Sequence, residues 1–136
     1  MVKLIARIAL AAGFILPILD RLGVLGPEGT TGVAWGNWHA FAAYTNKLIP
    51  FVNAGIANVF AVIATVLEGL LALGLLIGYR VKWMGLGTSL ITLIFGLFMF
   101  FSLGPMAPFN YPVYIFIACG LLLWKLDDTD EKAAGR

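Results

Sequence analysis

Glu68 is an acidic residue in the middle of an apolar run from Phe51 to Gly78. In a helix, its eleven-residue distance from Tyr79 places it about 16 Å from that end, near the midplane of a bilayer. An ionised carboxylate at that depth costs several kcal/mol unless paired or hydrated, so the side chain should face protein or an internal cavity. Ala57, Ala61, Ala64, Glu68 and Ala72 recur at steps of 3 and 4, a small-residue seam along which a second helix can approach closely. Two readings of Glu68 follow. It is either a protonated acid hydrogen-bonded to a neighbour such as Ser89 or Thr92, or a carboxylate lining a ligand or proton pathway. No lysine or arginine lies within one turn of it, so it is expected unpaired.

Asp20 and Arg21 form a second polar focus, at the far end of the first apolar stretch. Ala6, Ala9, Gly13, Pro17 and Asp20 lie on one helical face, which predicts that Asp20 points inward. Arg21 is about 100° further round and is expected to snorkel to the headgroups. The pair either neutralises itself at the helix end or, with Asn53, Asn58 and the segment from Trp35 through Asn37 and Tyr44 to Lys47, walls a polar pocket. His39, the only histidine, reads as a headgroup contact; one histidine cannot make a bis-histidine haem site. Cys119 reads as packing, and a single cysteine excludes an intrachain disulfide or CxxC pair. No metal site is predicted. Gly85, Ser89, Thr92 and Gly96 form another close-contact seam.

Four apolar stretches must position these residues: 4–25, 51–78, 84–103 and 111–126. At about 1.5 Å per residue they bracket a hydrocarbon layer about 30 Å thick, and they lack the alternation of barrel strands. The chain is therefore predicted to be all-α, a single integral membrane domain over 1–136 built as a four-helix bundle. Within the long connection from Gly26 to Ile49, the side chains of Trp38, Phe41, Thr45 and Leu48 recur at helical spacing. Residues 37–48 are thus predicted to form an outer interfacial amphipathic helix between helices 1 and 2, with Asn37 as its cap. Residues 104–108 read as a tight turn, and Asn110 as the cap of the fourth helix.

Composition agrees. Of the 136 residues, 61% are apolar and 12% charged, against about 25% charged in an ordinary soluble domain. Mean hydropathy is +0.96, so lipid is expected to wet most of the surface. The net charge of +2 does not indicate a nucleic-acid partner, because the basic residues sit at the ends of apolar segments. Lys3, Arg7, Arg80, Lys82, Lys125, Lys132 and Arg136 fall on one side of a four-span arrangement, with Arg21 and Lys47 on the other. Positive-inside bias then predicts a multi-pass protein of the inner (cytoplasmic) membrane with both termini cytoplasmic. The first stretch does not read as a cleaved signal peptide, since Asp20-Arg21 stands where a small-residue cleavage site would be. The acidic run 127–131 reads as a solvated end.

Arg7, Asp20-Arg21-Leu22-Gly23, Val33-Ala34-Trp35-Gly36-Asn37, Tyr44-Thr45-x-Lys47-Leu48, Leu67-Glu68-Gly69 and Gly78-x-Arg80 together resemble the DoxX family of small four-helix membrane proteins, over nearly the whole chain. Asn110 and Pro112 depart from one branch of that family, which often carries an acidic and a small hydroxyl residue there. The resemblance implies a membrane location, a link to quinone and a partner redox protein. It carries over no catalytic residue. The chain has no ligand set for haem or iron–sulfur and no flavin fingerprint, so any redox role requires a diffusible quinone or a partner that holds the cofactor. No covalently bound cofactor is expected; membrane lipid is the expected surroundings, and oligomer formation is left open.

Three functions fit these residues. The first is a redox-associated subunit that binds a quinone or similar lipid ring near Asp20, Arg21, Trp35, Asn37, Tyr44, Lys47 and Glu68, since quinone carbonyls need hydrogen-bond donors and their reduction needs protons. The second is a non-catalytic accessory or scaffold subunit of a membrane complex. The third is a small transporter in which Glu68 titrates, although no inverted repeat supports it.

Overall fold

The computed structural model describes residues 1–135, all-helical and without strands among them. The helices are α1 (Val2–Arg21), α2 (Trp38–Leu48), α3 (Ala54–Ile77), α4 (Val81–Leu103), the single-turn α5 (Ala107–Asn110) and α6 (Val113–Ala133). Three of them, α1, α3 and α4, are long and apolar enough to cross a membrane. Their outward faces carry Leu16, Val59, Val66, Leu70, Leu73 and Ile94, each more than half exposed. A continuous apolar surface of that kind needs lipid around it.

Local chemistry sets most of the helix ends. Asn37 accepts the Ala40 N–H at 2.8 Å and Asn53 the Ile56 N–H at 3.0 Å, each satisfying an orphan donor of the first turn. Helix α3 therefore starts at Ala54 rather than at Phe51. It stops at Gly78, which is left-handed with φ +77°. There Arg7 donates from Nε to Leu75 O at 2.7 Å and from Nη2 to Leu76 O at 2.9 Å, placing a cation on the last carbonyls of α3. At the other end of the chain Pro112, not Asn110, stands before α6, and Asn110 instead closes α5, which begins within the expected turn 104–108 and runs past it.

Helices α4 and α6 make the tightest pair. A Cβ on Gly85 would meet Gly120 O at 2.6 Å, and one on Gly96 would meet Val113 Cγ1 at 2.7 Å. Ser89 donates to Ile117 O at 2.8 Å across the same contact. The seam on α4 is thus a packing surface for α6, and Ser89 and Thr92 bond to backbone carbonyls rather than to Glu68.

The acidic run departs from its expected solvated state. Helix α6 continues through it, and the helical spacing turns Asp127 and Asp128 toward the first residues of α1 and α4. Lys3 pairs with Asp127 and with Asp130, Lys82 pairs with Asp128, and Asp127 Oδ2 accepts the Lys82 N–H at 3.0 Å as a cap for α4. Lys132 and Lys82 beside it hold the Asp128 carboxyl down at about 2.

The buried face of α1 is wider than the expected stripe. Of the expected stripe only Ala9 is exposed; Ala6, Gly13, Pro17 and Asp20 turn inward, and Leu10, Ala11, Phe14 and Arg21 widen the buried face beyond it. Phe14 meets Phe116 of α6 edge-on at 5.4 Å, and Leu10, Ala11 and Phe14 share a core with Ala72, Leu75 and Leu123. Asp20 is buried as expected, and the buried face is wide enough at the end of α1 to take in Arg21 as well.

Candidate functional site

Arg21 does not snorkel to the surface. Side chains on a helix lean toward its N-terminus, so an arginine in the last turn of α1 is aimed back into the protein. Its Nη1 reaches Glu68 Oε2 on α3 at 2.6 Å, with both side chains 5% exposed. Nη1 also donates to Thr65 Oγ1 at 2.9 Å, one turn away on α3. Glu68 is therefore paired, by a residue far away in sequence and opposite it in space.

The pair is incompletely satisfied. Glu68 Oε2 has Nη1 as its one close polar contact, and Arg21 Nε is buried without a hydrogen-bonding partner. Buried polar atoms are nearly always bonded, so an unpartnered Nε–H on a buried ion pair marks a place where a polar group of a ligand or a water would be stabilised.

Aromatic rings enclose the guanidinium. The Phe41 ring centroid lies 3.9 Å from Arg21 Cζ and that of Trp35 lies 5.4 Å away. Trp35 packs edge-on against Phe41 at 5.0 Å and tilted against Tyr44 at 5.7 Å. A desolvated cation over such faces gains about 2 kcal/mol, part of what the charge loses on leaving water. Thr65, where Arg21 lands, is eleven residues into α3, about 16 Å along it. Helix α1 thus ends well short of the start of α3, and α2 with the loop 33–36 fills the gap as a roof.

Asp20 builds that roof. Its Oδ2 accepts the Ala34 N–H at 2.8 Å and its Oδ1 the Gly36 N–H at 2.8 Å, with the Trp35 N–H at 3.3 Å from both oxygens. Three convergent N–H donors make a backbone nest for the carboxylate. The nest fixes Trp35 over Arg21, and Gly36, at φ +70°, supplies a conformation that other residues rarely adopt.

A cavity of about 140 Å³ opens beside the ion pair, between α1, α4 and α6 and beneath α2. Arg21, Trp35, Tyr44, Glu68 and Thr92 border it, and Phe14, Phe95, Met99, Tyr111 and Phe116 complete an otherwise apolar wall. The Thr92 hydroxyl is already donated to Thr88 O, so the polar capacity of the cavity is concentrated at Arg21 and Glu68. Burial, with the Tyr111 hydroxyl beside it, pushes the Tyr44 phenol up to about 12.

Of the residues proposed from sequence, Arg21, Trp35, Tyr44 and Glu68 come together here. Asp20 supports the roof from behind, Asn37 caps α2, and Lys47 lines a separate hollow of about 640 Å³ with His39, Asn46 and Asn58. The expected single polar pocket is thus divided: Asn53 is used as a cap for α3, and Asn58 accepts the Trp38 Nε1–H at 2.8 Å. Phe41, Phe95, Tyr111 and Phe116 went unrecognised as site residues. Only Phe41 left a trace in the sequence, on the periodic face of α2. Comparison with protein-family models, with curated proteins and with solved structures gives no match to this chain.

Proposed function

We propose that this chain is a DoxX-like protein of the inner membrane, four helices across with both termini cytoplasmic, that binds a quinone or a similar carbonyl-bearing lipid ring as a redox-associated subunit. The observation that carries the reading is the cavity beside a buried, incompletely bonded Arg21–Glu68 pair. An apolar cavity of about 150 Å³ accommodates one benzene ring, so 140 Å³ suits a single six-membered ring and is too small for a fused polycycle. The aromatic walls suit a flat ligand, and Arg21 Nε is a free donor for its carbonyl oxygen. In this reading Glu68, 2.6 Å from the same guanidinium, exchanges the proton with that oxygen. Electrons would have to come from a partner protein or a second diffusible carrier.

The test is binding of a tail-free benzoquinone to the purified protein, followed by quenching of tryptophan fluorescence, together with mass spectrometry of small molecules that copurify in native lipid. Saturable quenching that is lost in Trp35→Phe and weakened at least tenfold in Arg21→Lys supports the reading, because lysine keeps the charge but not the planar donor set. Unsaturable quenching, indifferent to both substitutions, would leave the accessory-subunit reading in its place.

A further inference from the structure

The ring cavity is not the only hollow in this half of the protein. Besides the polar one at Lys47, a third, of about 310 Å³, runs between α3 and α4 below α2. The two helices touch close to their shared turn, where a Cβ on Gly87 would meet Leu71 Cδ2 at 2.8 Å. Further from the turn they part, and Ile63, Leu67, Ile94 and Phe98 face the opening while Leu48 of α2 closes its upper end. The lining is hydrocarbon apart from Thr45, whose hydroxyl is already donated to Phe41 O at 3.0 Å. Such a groove offers nothing to a headgroup or a charged ligand; it suits an alkyl or isoprenoid chain. Ile63, Leu67 and Ile94 are each between 46% and 54% exposed, so the groove opens laterally onto the lipid-facing surface.

Phe95 borders both hollows. It is half-buried and packs against Leu48, Met99 and Val113, so one aromatic side chain separates the ring cavity from the groove. A cavity with its polar capacity at one end, one phenyl group away from a wholly apolar channel open to lipid, has the layout of a site for an amphiphile with a small polar ring and a long tail.

We infer that the α3–α4 groove is the tail subsite and the lateral route of the ligand whose ring occupies the Arg21–Glu68 cavity, with Phe95 as the movable wall between them. The inference rests on the ring-site reading above. The ligand reaches the cavity from within the bilayer, tail in the groove, and Phe95 must turn aside for ring and tail to be held together. A packed phenylalanine can do this by changing χ1, whereas the backbone walls on the α4–α6 side cannot yield.

The experiment compares a tail-free benzoquinone with its decyl-tailed analogue on the full chain in detergent, for wild type and for Ile63→Trp, which fills the groove without touching the ring cavity. Partition into the micelle is common to both proteins and cancels in the comparison. The expected result is at least tenfold tighter binding of the tailed analogue to wild type, falling to within about twofold in Ile63→Trp, with the tail-free affinity unchanged. A tailed analogue with a diazirine at the tail end, used on wild-type protein, gives a second measurement independent of any variant's folding: labels should fall on α3 and α4 around Phe60, Ile63 and Phe98. If the tail-free ring binds but the tail advantage survives Ile63→Trp, or the labels fall on α1 and α6, the tail subsite is wrong and the ring site stands. Copurified phospholipid or a second copy of the chain that holds the groove and is not displaced by the tailed analogue overturns it in the same way. If neither compound binds, the ring-site reading fails and takes the tail subsite with it.

Discussion

Arg21 in the last turn of α1 and Glu68 in the middle of α3 form an ion pair at 2.6 Å with both side chains almost wholly buried. Their attraction is set against the loss of two hydration shells, and in proteins that balance is often close to zero. Losing one partner is a different matter, because the survivor is left charged and dry.

Arg21→Met and Glu68→Leu should therefore each destabilise the protein by about 3 to 5 kcal/mol, whereas the double variant should recover most of that loss. Unfolding of all four proteins in the same detergent measures the coupling. Additive losses would mean that the two charges are solvated separately and that the pair is not an energetic unit.

Asp20→Ala removes the acceptor for three backbone N–H groups, and each buried donor left unpaired costs about 1 to 3 kcal/mol. The loop 33–36 should loosen and Trp35 should lift from Arg21. Emission from Trp35, in a protein whose other three tryptophans are phenylalanine, should shift to the red. Unchanged emission would show that Phe41 and Tyr44 alone hold the indole in place.

Gly85→Ala should cost more than Gly69→Ala. The new methyl at Gly85 would stand 2.6 Å from Gly120 O and 3.0 Å from Trp124 N, atoms that cannot move without parting α4 from α6. At Gly69 the nearest atom is the end of Ile18, 3.9 Å away, an ordinary contact. Overpacking costs about 1 to 3 kcal/mol, so the first variant should show a lower unfolding midpoint and the second should not.

Tyr44 should give the pH dependence an alkaline feature. Tyr44 is held neutral by burial up to about 12, against about 10 in an unfolded chain. Its contribution to stability is full below about pH 10 and is lost as pH rises toward about 12, because the unfolded state ionises first. Titration by absorbance at the phenolate band should show a late step near pH 12, and Tyr44→Phe should abolish it.

The helices and their approximate ends were readable in the sequence, for physical reasons that also explain what was not. Helix α2 was legible because Phe41, Thr45 and Leu48 keep helical spacing behind the cap Asn37, in a segment polar enough for the contrast to register. The breadth of the buried face of α1 was not. When lipid replaces water, the outward face is as apolar as the inward one, so the Ala9–Gly13 and Leu10–Phe14 stripes look equally suited to packing. How far the buried face extends past Asp20 determined whether Arg21 met headgroups or Glu68. The Arg21–Glu68 pair also depends on the register of α1 against α3, which no local pattern encodes. The acids at 127 and 128 were misleading because a charged run looks solvated until the lysines across from it are known.

The salt links at the terminal end have a topological consequence. Lys3 is bonded to Asp127 and Asp130, so the first and last helices are fastened together where the chain begins and where its last described turns lie. Arg7 ties α1 to α3 at the same end. A protease cut among the exposed residues 27–32 would therefore sever the backbone without releasing α1. The two fragments should stay associated, and separately expressed pieces divided at that point should complement each other in the membrane as a split protein.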